Sequence, residues 1–158
     1  MVVAVGCGGG GSSGDAAGSR KLSSAESEYA AEIAAANEDL GSVAEARCVG
    51  EGVVRAFGLA RAKELKLESK DTPVLSRSDA EKAVGVLDGC TNLAELLLRE
   101  GKDSLGLSEA EVIRCAKLLD RAKIRELFVK TQLEDTVDAA ESQDLQDDLI
   151  AALPRCKG

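Results

Sequence analysis

A chain of 158 residues supports one ordinary domain with a tail, and an apolar content of 44% is enough to fill a core. Aromatics reach only 2%, so that core must be Leu, Val, Ile and Ala, a composition that favours helix over strand. A net charge of −8 speaks against nucleic acid as a partner, no apolar run is long enough to span a bilayer, and the absence of His removes the commonest general base and zinc ligand.

Residues 1–7 read Met-Val-Val-Ala-Val-Gly-Cys. This stretch resembles the last part of a bacterial lipoprotein signal, the lipobox, with Gly6 as the small residue before a lipidated Cys7. The basic leader of such a signal is missing and the apolar stretch is short, so the reading takes residues 1–7 as its remnant. The Gly/Ser-rich residues 8–22 then serve as a flexible tether. The alternative is a plain tail with an incidental Cys. Two formal motifs here carry no chemistry. Gly6-Cys7-Gly8 lacks the full strand and following helix of a dinucleotide loop. Gly10-Gly11-Ser12-Ser13-Gly14 has the letters of a nucleophile elbow, in a chain with no His to complete a triad.

From residue 23 to 158 the signals are helical. Ser23 with Glu26 forms a capping box, followed by a stripe at Tyr29, Ile33, Ala36 and Leu40. Ser42 with Glu45 opens a second helix running through Cys48, Val53, Val54 and Phe57 to Gly58. Gly50 and Gly52 lie inside it, each at a cost of about 1 kcal/mol against Ala. Their use is either close approach by another backbone or a kink. Leu59 to Leu67 reads as a short helix, and Lys66 to Leu75, with Pro73, as a loop. Ser78 with Glu81 reads as the next capping box, for a helix that ends at Cys90. Leu93, Leu96, Leu97 and Leu98 mark a helix ending near Gly101. Ser108 with Glu111 caps the stripe Val112, Cys115, Leu118, Leu119 and Ala122, which Ile124, Leu127 and Phe128 continue. The last helix is expected from about Ser142 to Leu153, with Pro154 stopping it before Cys156.

Four cysteines fall into two matched units. Arg47-Cys48 precedes Cys90 by 42 residues, and Arg114-Cys115 precedes Cys156 by 41. Each unit has a capping box, a helix carrying Arg-Cys in its first turns, a second helical segment, a loop, and a helix ending at Cys. This suggests two similar halves, about 42–106 and 108–158, within one helical domain. In two antiparallel helices the start of the first lies beside the end of the second. Cys48–Cys90 and Cys115–Cys156 are therefore the first choice of pairing, since bridged Cα atoms lie within about 4.4–6.8 Å. Cys48–Cys156 with Cys90–Cys115 is the nested alternative. A four-thiolate zinc site lacks the close cysteine pairs it needs, and four free thiols in a reduced cytosolic bundle is the plainest reading of all.

The stretch from Cys48-Val49-Gly50 through Val53-Val54 to Phe57-Gly58, with Cys90, Cys115 and Cys156, resembles a group of uncharacterised actinobacterial secreted or lipid-anchored helical proteins. The resemblance implies location and fold, and no activity. Acidic residues cluster late, at Glu134, Asp135, Asp138, Glu141, Asp144, Asp147 and Asp148, without the alternating ligands and central Gly of a calcium loop. A solvated helix face accounts for them, as it does for Arg55, Arg61, Lys63, Lys66 and Lys70. The sequence thus leads to an all-α, disulfide-stapled bundle of the cell envelope, lipid-anchored through Cys7 or secreted. It is expected to bind a protein or small-molecule partner and the membrane through its lipid, with no catalytic residue, metal or cofactor. The alternative is a cytosolic helical regulator or adaptor with free thiols, and a carboxylate-based enzyme ranks last.

Overall fold

The computed structural model describes residues 20–69, 74–133 and 139–157, with residues 139–142 as backbone only. Among these residues the secondary structure is helical throughout, with no strand. In chain order come α1 (Ser24–Ala36), a 3-10 turn (Glu38–Leu40), α2 (Val43–Phe57), α3 (Leu59–Glu64) and α4 (Arg77–Cys90). They are followed by α5 (Leu93–Leu105), α6 (Glu109–Ala116), α7 (Arg121–Thr131) and α8 (Ala139–Cys156).

Helix starts follow local side-chain chemistry. Ser23, Ser42 and Ser108 each accept a hydrogen bond from the backbone N–H three residues on, and Glu26, Glu45 and Glu111 each reach back to the cap N–H. The start of α4 differs from expectation. Its cap is Ser76, whose Oγ accepts from the Asp79 N–H at 3.2 Å, and not Ser78. Asp79 is too short to reach back to the cap N–H and instead accepts from the Ser76 hydroxyl at 2.8 Å. Asn92 and Asp120 cap α5 and α7 through their side-chain carbonyl and carboxylate oxygens.

Three boundaries are also corrected. α5 passes through Gly101 and ends at Gly106, whose φ of 62° suits the left-handed cap that glycine adopts without strain. The stripe from Val112 to Phe128 is two helices, because the chain turns at Lys117 to Asp120 before restarting. α8 begins three residues earlier than expected and contains Pro154, which forfeits one internal hydrogen bond without ending the helix.

Packing produces two apolar clusters. Tyr29 and Ile33 of α1, Val49, Val53 and Val54 of α2, and Ala62 of α3 form the first. The second gathers residues from α4 to α8, with Leu93, Leu98, Val112 and Ile124 almost fully enclosed. Half-buried Leu67 and Leu87 touch both clusters and join them. Burying a side chain of this kind contributes about 1.5–3 kcal/mol. The close approach of α1 to α2 depends on Gly50, where a Cβ would stand 2.1 Å from the Ala30 carbonyl oxygen. At Gly52 a Cβ would meet the side chain of Val86 in α4 at 2.6 Å. The second cluster takes α4 and α5 from the first cysteine unit together with α6, α7 and α8 from the second.

Candidate functional site

The cysteines position the helices around the candidate site. Cys48 in α2 is bonded to Cys90 at the end of α4, with Cα atoms 5.6 Å apart, and Cys115 in α6 to Cys156 at the end of α8, with Cα atoms 5.1 Å apart. The first bridge joins the second turn of α2 to the final residue of α4, whereas the second, contrary to expectation, joins the last turn of the short α6 to the final residue of α8. The nested pairing is thereby overturned, and the sulfurs stand as two separate pairs rather than as a four-thiolate zinc site. Cys7, the expected lipid site, lies outside the described residues.

The two bridges differ in setting. Cys48 is exposed and Cys90 half-buried, whereas Cys115 and Cys156 are 0% and 1% exposed. Beside the first bridge, Thr91 donates its hydroxyl to the Glu45 carboxylate at 3.1 Å, tying the start of α2 to the end of α4 a second time. The backbone and hydroxyl of Ser42 hold the Glu45 carboxyl below the usual carboxylate range, with a smaller pull from Thr91 and Arg99. Beside the second bridge, Arg114 donates from Nε to the Cys156 carbonyl at 2.9 Å, placing a cation on the negative end of α8. Arg47, the matching residue of the first unit, pairs instead with Glu51. The two Arg-Cys dipeptides thus do different work.

With α8 clamped at its last turn, its backbone lies close to that of α6 and stands off from α5 and α7. The gap is a leucine-lined slot of about 370 Å³. Leu97 and Leu105 of α5, Leu127 of α7, and Leu145 and Leu149 of α8 line it, all of them half-buried. A second hollow of about 210 Å³ shares Leu127 and Leu145 and has Lys123, Glu126 and Asp144 at its edge. Such an apolar concavity between helices, with polar groups only at the rim, is the usual form of a binding site in a bundle. Other hollows lie among the described residues, including one of about 300 Å³ between Leu118, Lys123, Asp148 and Arg155. One of about 470 Å³ lies where the two apolar clusters meet, between α1, α2, α4 and α7. Another of about 550 Å³ runs along the Ala-rich outer side of α1 and α2, beside the exposed Val43. The leucine slot is set apart by its lining of half-buried leucines from three helices.

Sequence reasoning did not find this slot. Its leucines were readable as core stripes, and only the stand-off of α8 leaves them half-covered. The late acids divide. Asp148 accepts from the Lys123 ammonium at 2.7 Å and Asp147 from the Gln143 amide at 3.2 Å, while Glu134, Asp135 and Asp138 lie outside the described residues. The side chain of Glu141 lies outside them too. Among the described residues no three His, Cys, Asp or Glu side chains gather closely enough to hold a metal ion, and no helix is long and apolar enough to cross a membrane. The basic residues are largely paired: Arg55 with Glu51, and Arg61 with Glu64 and Asp79, while Lys63 sits 5.2 Å from the Tyr29 ring centre; Lys70 lies outside the described residues. No family model, curated protein or solved structure matches this chain.

Proposed function

We propose that this chain is a helical binding module of the bacterial cell envelope, akin to the lipid-anchored or secreted actinobacterial proteins its cysteine pattern resembles. In this reading a lipid on Cys7 holds it at the membrane, residues 8–22 give it reach, and the slot between α5, α7 and α8 takes a partner. It carries out no reaction of its own.

The observation that carries the reading is the pair of disulfides. Structural disulfides form and persist in oxidising spaces outside the cytoplasm, whereas a cytosolic adaptor would keep the same residues as thiols. A small-residue core poor in aromatics gains from such crosslinks, at about 2–4 kcal/mol each. Further support comes from the sequence around Cys7, where Gly6 precedes the cysteine and a Gly/Ser run follows it. The chain has no His, which removes the commonest general base.

The test is expression in a bacterium with the native upstream region, followed by membrane fractionation and mass analysis of the N-terminal peptide. The expected result is a diacylglyceryl modification on Cys7 and a membrane-bound protein that Cys7→Ser releases. An unmodified Cys7 on a protein found in the cytosol, with thiols at Cys48, Cys90, Cys115 and Cys156, would overturn it.

A further inference from the structure

The leucine slot has a marked electrostatic setting. Of the chain's 28 acidic residues, seven lie between residues 134 and 148, where no Lys or Arg occurs; the other 21 nearly balance all 20 bases. Almost the whole net charge of −8 therefore belongs to α8 and the segment leading into it. The described part of that helix places Leu145 and Leu149 in the slot and Asp144 at the edge of the hollow that adjoins it. Two acids near the rim are neutralised: Asp148 by Lys123 at 2.7 Å, and Glu126 of α7 by Arg77 at 2.7 Å. Asp144 and Asp147 are exposed and have no cation within bonding distance among the described residues. Asp144 acts on Lys123 only at longer range.

We infer that the slot docks a cationic amphipathic helix of a partner protein, with a Leu/Ile stripe entering between α5, α7 and α8 and Lys or Arg residues meeting the exposed carboxylates of α8. This inference rests on the slot being a binding site, as proposed above. Two features select the occupant. The walls are three helices whose leucines form ridges, the surface against which an apolar stripe at i, i+3, i+4 and i+7 seats itself. A hollow of about 370 Å³ has room for a few apolar side chains, and its two polar lining residues, Ser104 and Gln146, are both exposed at its edge. The rim charge then decides the sign. Fatty acids, anionic lipids and acidic peptides bring negative groups to a negative edge, while a basic helix gains both attraction and orientation there. α8 is held at its end by Cys156 and along its length by the Lys123–Asp148 pair and buried Ala152, so the slot keeps its shape before the stripe enters.

The experiment uses the full chain, oxidised, and two labelled peptides of about 14 residues, four turns of helix. Both carry the same Leu stripe; one has Lys on its polar face, the other Glu. Fluorescence anisotropy is read at low and high salt. The Lys peptide is expected to bind at least about ten-fold more tightly than the Glu peptide, and to weaken several-fold on raising salt from about 0.05 to 0.5 M. Asp144→Asn, an exposed position that leaves the core untouched, is expected to lower that affinity several-fold. Leu127→Ala with Leu145→Ala is expected to abolish binding, with circular dichroism reporting that the helices remain. Equal binding of both peptides, binding of neither, no effect of the Asn variant, or tighter binding to vesicles of anionic lipid would overturn the inference. Self-association of the chain that masks the slot and is lost in the Leu variant would do so too, by assigning the slot to a second copy. Peptide failure with Cys7 still lipidated removes this inference and leaves the envelope reading standing; peptide binding by a protein that is not exported does the reverse.

Discussion

Gly50 shows how much a single residue can set. Glycine inside a helix costs about 1 kcal/mol against alanine, so Gly50 in the middle of α2 needs a return. The return is contact with the α1 backbone, since a Cβ there would stand 2.1 Å from the Ala30 carbonyl oxygen and 3.2 Å from the Ala34 nitrogen. Backbone cannot step aside as a long side chain can. Gly50→Ala should therefore destabilise the domain by about 1–3 kcal/mol despite its better helix propensity, read as a lower urea midpoint. The sequence offered close approach or a kink as the use of Gly50, and the contact with α1 decides for the first. The partner helix was not legible, because it depends on the direction in which α1 folds back. Glu45 makes a second prediction. Its folded-state pKa lies below the ordinary 4.5, held down first by the Ser42 backbone and then by the Ser42 hydroxyl. Glu111 is lowered in the same way by Ser108. A carboxyl depressed by folding adds stability that is complete above its unfolded pKa and is lost as pH falls through the folded value. The melting temperature is expected to be level from about pH 7 to 5 and to drop below about pH 4. Glu45→Gln, which keeps an acceptor for the Ser42 N–H and cannot titrate, should make that drop shallower.

Among the elements, α4 teaches most about reading caps. Ser78 and Glu81 match the capping-box pattern, yet the helix starts at Arg77 with Ser76 as its cap. The difference follows from hydrophobic register. Leu75 is buried against the second cluster, and its N–H donates to the Gln132 carbonyl at 3.0 Å. That bond fixes the chain just before Ser76, and the cap forms at the first serine beyond it. Ser76→Ala is expected to cost about 1 kcal/mol, and Ser78→Ala, on the exposed first turn, close to nothing. Paired chemical denaturation curves distinguish the two, and equal effects would mean the cap is misassigned. The caps at Asn92 and Asp120 were missed for different reasons: Asn92 does have Glu95 three residues on, though that carboxylate accepts from the Asn92 side-chain amide, whereas Asp120 has Lys123 there and only the apolar register could have revealed it. Pro154 makes the opposite point. It reads as a stop, but α8 continues to Cys156 because the bridge to Cys115 and the Arg114 bond to the Cys156 carbonyl hold the last turn in place.

At the scale of the whole molecule, disulfide pairing and core boundaries do not coincide. Cysteine spacing made both pairings legible, although the start-beside-end geometry holds only for Cys48–Cys90, because α6 is so short that Cys115 falls in its last turn. The clusters were not legible, because α4 and α5 turn from their own cysteine unit to pack with α6, α7 and α8. The first bridge consequently lies at the outer edge of the α1–α3 cluster, where Cys90 packs and Cys48 is exposed, and the second lies inside the larger core. Thiol–disulfide exchange requires a thiolate to reach a sulfur along the S–S axis. At Cys48 it can do so in the folded protein. At Cys115 and Cys156, 0% and 1% exposed, it must wait for the core to open. Millimolar dithiothreitol without denaturant should therefore open Cys48–Cys90 first, and alkylation with peptide mapping should label Cys48 and Cys90 while helical circular dichroism persists. Cys115 and Cys156 should label only once urea unfolds the chain, at a rate that follows global unfolding. The opened protein keeps the Thr91–Glu45 bond and the α2–α4 contact, so it should melt at a lower temperature but still cooperatively. Simultaneous labelling of all four in native buffer would mean that α8 leaves the core readily, and the leucine slot would then lack the fixed wall on which its shape depends.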